Sequence, residues 1–306
     1  MTTAVLAMAY GSPTSLDELP AYYTDIRRGR PPSPEQLAEL ERRYAAIGGT
    51  SPLARRTAEQ VGALAAALER LAPARFRVFF GAKHAPPRIE DALDEIAAAG
   101  IGELVGLVLA PHYSPRSVGE YLERAERRAA AHGIACTFIE RWHDDPVLVE
   151  LLAERVASAR GELGDLEPVE VVFTAHSLPR RVLAEGDPYP AEVEETARLV
   201  ARRAGLERWR VAFQSAGRTP EPWLGPDVLT VIAELARGGV RGVVVCPAGF
   251  TSDHLEVCYD LDVEARQHAE ALGMAFRRTA SLNDEPRLAA ALARRVLAAA
   301  ARLPGG

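Results

Sequence analysis

The run Asp253-His254-Leu255-Glu256-Val257-Cys258-Tyr259-Asp260-Leu261-Asp262-Val263-Glu264 places carboxylates at Glu256, Asp260 and Glu264, a spacing of i, i+4, i+8. On a helix that spacing lines all three along one face. Like charges four apart repel by roughly 0.2–0.5 kcal/mol per pair, so the row is unfavourable by itself. One reading is a solvated acidic face; the other is a path or binding ladder for a divalent cation. A helix start after a buried strand and a glycine turn is where a cleft residue belongs, which favours the second. His176 lies in the turn Thr174-Ala175-His176-Ser177-Leu178-Pro179 and would face the same cleft if the two strands are neighbours. One imidazole with one carboxylate has borderline affinity for iron, better suited to transient holding than to a closed structural site. The same pair can accept protons.

A second cluster is basic and aromatic: Tyr22-Tyr23-Thr24-Asp25-Ile26-Arg27-Arg28-Gly29-Arg30, then Arg42-Arg43-Tyr44 leading to Gly48-Gly49-Thr50-Ser51-Pro52-Leu53. Guanidinium groups bind carboxylates bidentately, and tyrosine rings give flat apolar walls with a polar tip. An aromatic dicarboxylate or a larger polyanion fits; so does a solvated basic loop. His84 and His112 close strands and are candidates to line a cleft or to serve structure alone. His132 and His268 fall on exposed helical positions. The sequence has neither the G-x-G-x-x-G nor the G-x-x-x-x-G-K-[ST] pattern of nucleotide sites, and no H-E-x-x-H or cysteine-rich zinc pattern.

The elements that must position these residues are short β-rich runs alternating with longer helical patterns. Apolar runs at 4–8, 77–80, 104–110 and 136–139 are matched in the second half by 170–174, 210–213, 242–246 and 275–277. Between them, 57–71, 118–132, 147–160, 192–204 and 285–303 carry helical periodicity. Strand, helix, strand, helix predicts parallel sheets covered on both faces. The halves form a weak internal repeat, in which Met8-Ala9-Tyr10-Gly11-Ser12-Pro13 answers Thr174-Ala175-His176-Ser177-Leu178-Pro179. Tyr10 and His176 therefore occupy equivalent places. Ligands of open α/β sheets bind beyond the carboxyl ends of the strands, so two such domains facing each other would set Tyr10 and His176 on opposite walls of one cleft. The expected architecture is α/β, with two Rossmann-like domains, 1–160 and 161–306, the last helix being a candidate to pack back on the first.

The 306 residues, 48% hydrophobic and 25% charged, suit a folded soluble chain of two domains. The net charge of -6 argues against a general nucleic-acid binder. No apolar stretch is long enough to span a bilayer and no basic n-region opens the chain, so neither a membrane span nor a signal peptide is expected. Cys136, Cys246 and Cys258 are odd in number and far apart, which gives no disulfide framework.

Taken together, the motifs resemble those of the ferrochelatases, and among them the coproporphyrin ferrochelatases of Gram-positive-type bacteria. Met-Ala-Tyr-Gly at 8–11, Ile-Arg-Arg-Gly-Arg at 26–30, Ile-Gly-Gly-Thr-Ser-Pro-Leu at 47–53, Leu-Ala-Pro-His-Tyr-Ser at 109–114, Ala-His-Ser-Leu-Pro at 175–179, Gly-Asp-Pro-Tyr-Pro at 186–190, Pro-Trp-Leu-Gly-Pro-Asp-Val at 222–228 and Asp-His-Leu-Glu-Val at 253–257 fall in family order over nearly the whole chain. The resemblance implies a porphyrin cleft between two Rossmann-like domains, with His176 and Glu256 as the metal-insertion pair. It implies that Tyr10 is an axial ligand to iron on the opposite porphyrin face. Arg27, Arg43, Tyr44, Ser51 and Tyr121 fall where the macrocycle and its propionates would be held. Asp260 and Glu264 match an acidic ladder leading to the pair, also a candidate Mg2+ site. Fe2+ and coproporphyrin III are the implied substrates, with handover of the product to a coprohaem decarboxylase, in a cytoplasmic monomer. The thiols for a C-terminal [2Fe–2S] cluster are missing, so none is expected, and the long hydrophobic lip of membrane-associated relatives is missing too.

Overall fold

The computed structural model describes residues 2–217 and 219–305. The chain divides into two compact units, one formed by 1–142 with 283–306 and the other by 143–282. The boundary expected at 160 therefore lies near 142, and the helical pattern at 147–160 goes with the second unit.

In the first unit, β1 (Thr3–Ala9), β2 (Phe76–Ala82), β3 (Glu103–Val108) and β4 (Ala135–Ile139) form a parallel sheet in the order β2-β1-β3-β4. All seven residues of β1 are buried, as a central strand covered on both faces requires, so it is read from a continuous apolar run rather than from alternation. The helices are α1 (Leu19–Ile26), α2 (Pro34–Ala46), α3 (Leu53–Leu71), α4 (Ile89–Ala98) and α5 (Val118–Ala131). Leu6, Met8, Leu93, Ile96, Leu104 and Tyr121 meet in the core beneath α4 and α5. The basic and aromatic cluster is only partly a loop: Tyr22 to Ile26 belong to α1 and Arg42 to Tyr44 to α2, while Arg27 to Arg30 lie in the turn and loop between them.

In the second unit, β5 (Val169–His176), β6 (Trp209–Gln214), β7 (Gly242–Cys246) and β8 (Ala275–Arg278) are again parallel, in the order β6-β5-β7-β8. With β5 in the place of β1, this is the same topology. Helices α6 (Pro146–Gly161), α7 (Tyr189–Arg203) and α8 (Val228–Arg237) flank the sheet. After β7 the chain enters a π-helical segment, Val257–Ala265, that runs into α9 (Arg266–Ala271). The i, i+4, i+8 carboxylate row thus lies on i→i+5 backbone, not on the α-helix its spacing suggests. Finally α10 (Pro286–Ala300) rejoins the first unit, packing on α3, β3 and β4.

Two glycines permit the turns that follow the sheets. Gly11, after β1, has φ +83°, and a Cβ there would meet Ala82 Cβ at 2.8 Å. Gly249, after β7, lies so close to β5 that a Cβ would stand 2.5 Å from Ala175 Cβ. The three cysteines are free thiols, Cys246 buried and the others half-buried. No described helix is long and apolar enough to cross a membrane.

Candidate active site

His176 is the last residue of β5, and Glu256 immediately precedes the π-helical segment. Apolar burial of Val257, Leu261 and Ala265 against the sheet keeps the start of that segment at the carboxyl end of the strands. His176 Nδ1–H donates to Ser177 O, which leaves Nε2 facing Glu256 Oε1 at 3.4 Å. The backbone carbonyl of His176 accepts a 2.9 Å hydrogen bond from the buried Tyr189 hydroxyl. On its other side, Glu256 Oε2 lies 3.5 Å from His254 Nε2, while His254 Nδ1–H donates to Ser252 O at 3.1 Å. A single carboxylate is therefore flanked by two imidazoles, each with its ring orientation fixed by a backbone carbonyl.

The electrostatics follow from this arrangement. Desolvation opposes a charge on His176, but the Glu256 carboxylate outweighs it and holds the imidazole up to about 9. Desolvation likewise opposes a charge on Glu256, and His176 and His254 overcome it, depressing the carboxyl far below its ordinary range. At neutral pH the pair is an imidazolium–carboxylate couple. Its side chains remain 36% and 34% exposed, open to an incoming ligand.

The next carboxylate, Asp260, is buried and accepts from the Ser215 hydroxyl, with Ser215 in the left-handed region at φ +59°. Gln214 Nε2 donates to Glu256 O at 3.0 Å, so the end of β6 holds the first turn of the segment. Glu264 lies one further step along. Among the described residues, no three His, Cys, Asp or Glu side chains gather as a metal cage; the row is a succession of separate carboxylates.

The remaining candidates are in the first unit. Tyr10 follows β1, is 42% exposed, and stacks on the His84 ring at 4.6 Å with the planes tilted by 56°. His84 Nδ1–H donates to the carboxylate oxygen Asp25 Oδ2 at 2.7 Å, burial lowers the His84 pKa, and Asp25 is held in turn by Arg88 at 3.0 Å. Arg27 ends α1, with Nε donating to Arg30 O at 3.2 Å and its guanidinium 5.6 Å from the centre of the Tyr23 ring. Arg43 is paired with Glu39 on α2 at 3.5 Å. Tyr44 and Ser51 are buried, the Ser51 hydroxyl accepting from Leu53 N at 3.3 Å. Tyr121, on the core-facing side of α5, is also buried, with Lys83 Nζ 5.2 Å from its ring centre and its phenol pKa pushed upward by desolvation. Tyr10 is thus exposed, Arg27 and Arg43 are half-buried, and Tyr44, Ser51 and Tyr121 are closed off.

A comparison with protein-family models matches residues 2–300 to Ferrochelatase. The chain belongs to the ferrochelatase family. Membership makes it an enzyme that inserts metal into a porphyrin. Its relatives include a ferrochelatase from Herpetosiphon aurantiacus, 44% identical, with 93% of this chain and 94% of the relative covered. A coproporphyrin III ferrochelatase from Anoxybacillus flavithermus is 44% identical, covering 96% of this chain and 95% of the other. One from Geobacillus kaustophilus is 43% identical over 97% and 95%. Among solved structures, the sirohydrochlorin chelatase SirB from Bacillus subtilis subspecies spizizenii, in complex with cobalt, aligns with a TM-score of 0.60 over 100% of this chain and 98% of that one. At 14% identity, that likeness shows the fold alone.

For a ferrochelatase, the flanked carboxylate can do two things: hold a divalent ion between oxygen and nitrogen donors, and take up protons as the ion leaves. Sequence reasoning singled out His176, Glu256, Asp260 and Glu264, which the structure places with His176 beside Glu256 and with Asp260 and Glu264 further along the same segment. It missed His254, two residues before Glu256, although the spacing was in view; it also missed Gln214, Ser215 and Tyr189, whose roles depend on sheet neighbours distant in sequence.

Proposed function

We propose that this chain inserts Fe2+ into coproporphyrin III, with His176 and Glu256 as the metal-insertion pair. The supporting observation is the 3.4 Å contact between these side chains beyond the carboxyl end of β5, with His254 on the far oxygen of Glu256. Relatives at 42–44% identity named for coproporphyrin III support the substrate. A free-base porphyrin carries two pyrrole N–H protons, so entry of one Fe2+ must release two protons. The ring must also bend to expose its nitrogens, and binding energy from the propionates is the source of that distortion.

In this reading Arg27 and Arg43 bind propionates, with Tyr44, Ser51 and Tyr121 shaping the surface beneath the macrocycle. Tyr10, exposed and braced by His84, is the axial ligand to iron. Fe2+ arrives along Glu264 and Asp260, whose oxygens equally suit Mg2+, and waits at His176 and Glu256. As the ion enters the ring, the vacated imidazole and carboxylate accept the pyrrole protons.

The test is anaerobic Fe2+ insertion into coproporphyrin III and protoporphyrin IX, followed side by side by the visible spectrum. Multiple turnover with coproporphyrin III and loss of insertion with retained porphyrin binding in His176→Ala and Glu256→Gln are expected. Preference for protoporphyrin IX would overturn the substrate, and full turnover in both variants would overturn the pair. The Herpetosiphon relative is named ferrochelatase without a stated porphyrin, which is why both substrates belong in the assay.

A further inference from the structure

The insertion pair makes no use of a closely engaged cation in the second unit. Arg278, the last residue of β8, directs Nε and Nη2 at the two oxygens of Asp262, at 2.7 and 2.9 Å. Its Nη1 reaches Thr279 O at 3.0 Å, Ser281 Oγ at 3.3 Å and Asp253 Oδ1 at 3.3 Å. Ser281 closes the ring by donating to Asp253 Oδ1 at 2.7 Å. The Arg278 side chain is only 15% exposed. One guanidinium therefore grips both ends of the stretch that contains His254, Glu256 and Asp260: Asp253 on the loop before it, and Asp262 within the π-helical segment.

Extended i→i+5 backbone is rare because its hydrogen-bond register competes with the ordinary i→i+4 one. Something outside the segment must hold it. Val257, Leu261 and Ala265 anchor its buried face, but apolar contacts are non-directional and tolerate a change of register. The Gln214 and Ser215 bonds fix individual points at Glu256 and Asp260. A bidentate fork differs, since it specifies both the position and the plane of the Asp262 carboxylate. Relaxing the turn to i→i+4 would rotate Asp262 relative to Glu256 and break both bonds of the fork. It would leave a largely buried guanidinium with unmatched donors.

We propose that Arg278 is a positioning residue that holds the π-helical register, and with it the placement of Glu256 and Asp260 toward the metal, by clamping Asp262 to Asp253. The inference rests on the reading of Glu256 as a metal-handling group.

Arg278→Lys, Arg278→Gln and Asp262→Asn, made in the full chain, test it. Lysine keeps the charge but offers a point donor in place of a fork. Two quantities are read: equilibrium binding of Zn2+ to the porphyrin-free protein, and the separate KM values for Fe2+ and coproporphyrin III. The expected result is Zn2+ binding weakened and Fe2+ KM raised by at least about fivefold in all three variants, the scale of coupling within a charge network. Porphyrin KM stays unchanged. The double variant Arg278→Gln with Asp262→Asn should be no worse than Arg278→Gln alone. A lowered melting temperature with unchanged Zn2+ binding and Fe2+ KM would overturn the proposal, because a merely structural ion pair behaves that way. Should Arg278→Gln fail to fold, Asp262→Asn, which keeps shape and one acceptor, decides by the same readings. Glu256→Gln serves as the control: if it binds Zn2+ and turns over like wild type, the reading of the site itself fails; if it does not, unchanged Arg278 and Asp262 variants refute the clamp alone.

Discussion

Replacing Glu256 by glutamine removes one negative charge at constant shape, and His176 should report the loss. The imidazole sits 3.4 Å from the carboxylate, which lifts it from 6.5 to about 9 against the desolvation that pulls it down. Without the carboxylate, the downward pull remains and only the hydrogen bond to Ser177 O and the weaker influence of Asp260 oppose it. A fall of about 2.5 pH units would correspond to about 3 kcal/mol for a dry pair, at 1.36 kcal/mol per unit. Both side chains are more than a third exposed, and solvent screens them. The discounted expectation is about 1–2 kcal/mol, or a fall of roughly one pH unit or more. Ring-selective NMR titration of the metal-free protein, with the His176 signals assigned by His176→Gln, measures it directly. The stability contribution follows the raised value. It is fully present below the unfolded pKa near 6.5 and is lost as pH rises through about 9, so the stability gap between wild type and Glu256→Gln should narrow between pH 7 and 10. A His176 titration coincident in the two proteins would refute the reasoning.

Because a bound ion needs His176 unprotonated, Zn2+ affinity in the porphyrin-free protein should rise with pH, approaching about tenfold per unit below 9 and levelling above it; a flat profile from pH 6 to 9 would contradict this, and calorimetry in several buffers settles the proton count. Gly249→Ala places a methyl 2.5 Å from Ala175 Cβ and should cost about 1–3 kcal/mol in urea unfolding, with insertion impaired because β5 carries His176. Tyr10→Phe should keep its stack on His84 and still insert iron, while the ferric product complex loses its phenolate charge-transfer absorption; an unchanged spectrum would remove Tyr10 as a ligand.

Much of this arrangement was legible before the structure. Every strand was foreseen within a few residues, because central strands of parallel sheets are continuous apolar runs such as Ala4 to Met8 and Val243 to Cys246. The repeat of the Tyr10 and His176 turns is matched by the common sheet order. Helix α2 escaped despite a readable start: Ser33 and Gln36 form a reciprocal capping box around Pro34. The π-helical register was not legible at all. Carboxylates spaced by four fit one face of an α-helix equally well, and what holds the register is tertiary, Arg278 being sixteen residues beyond Asp262. The burial of Tyr44, Ser51 and Tyr121 likewise depends on packing by elements remote in sequence.

The return of α10 to the first unit bears on how the chain is made. Residues 143–282 are contiguous and form a unit of their own, whereas the first unit lacks the helix that covers α3, β3 and β4 until the whole second unit has been synthesised. On the ribosome the usual order, with the N-terminal domain completed first, is therefore inverted. The second unit can close while α3, β3 and β4 of the first still lack the helix that covers them.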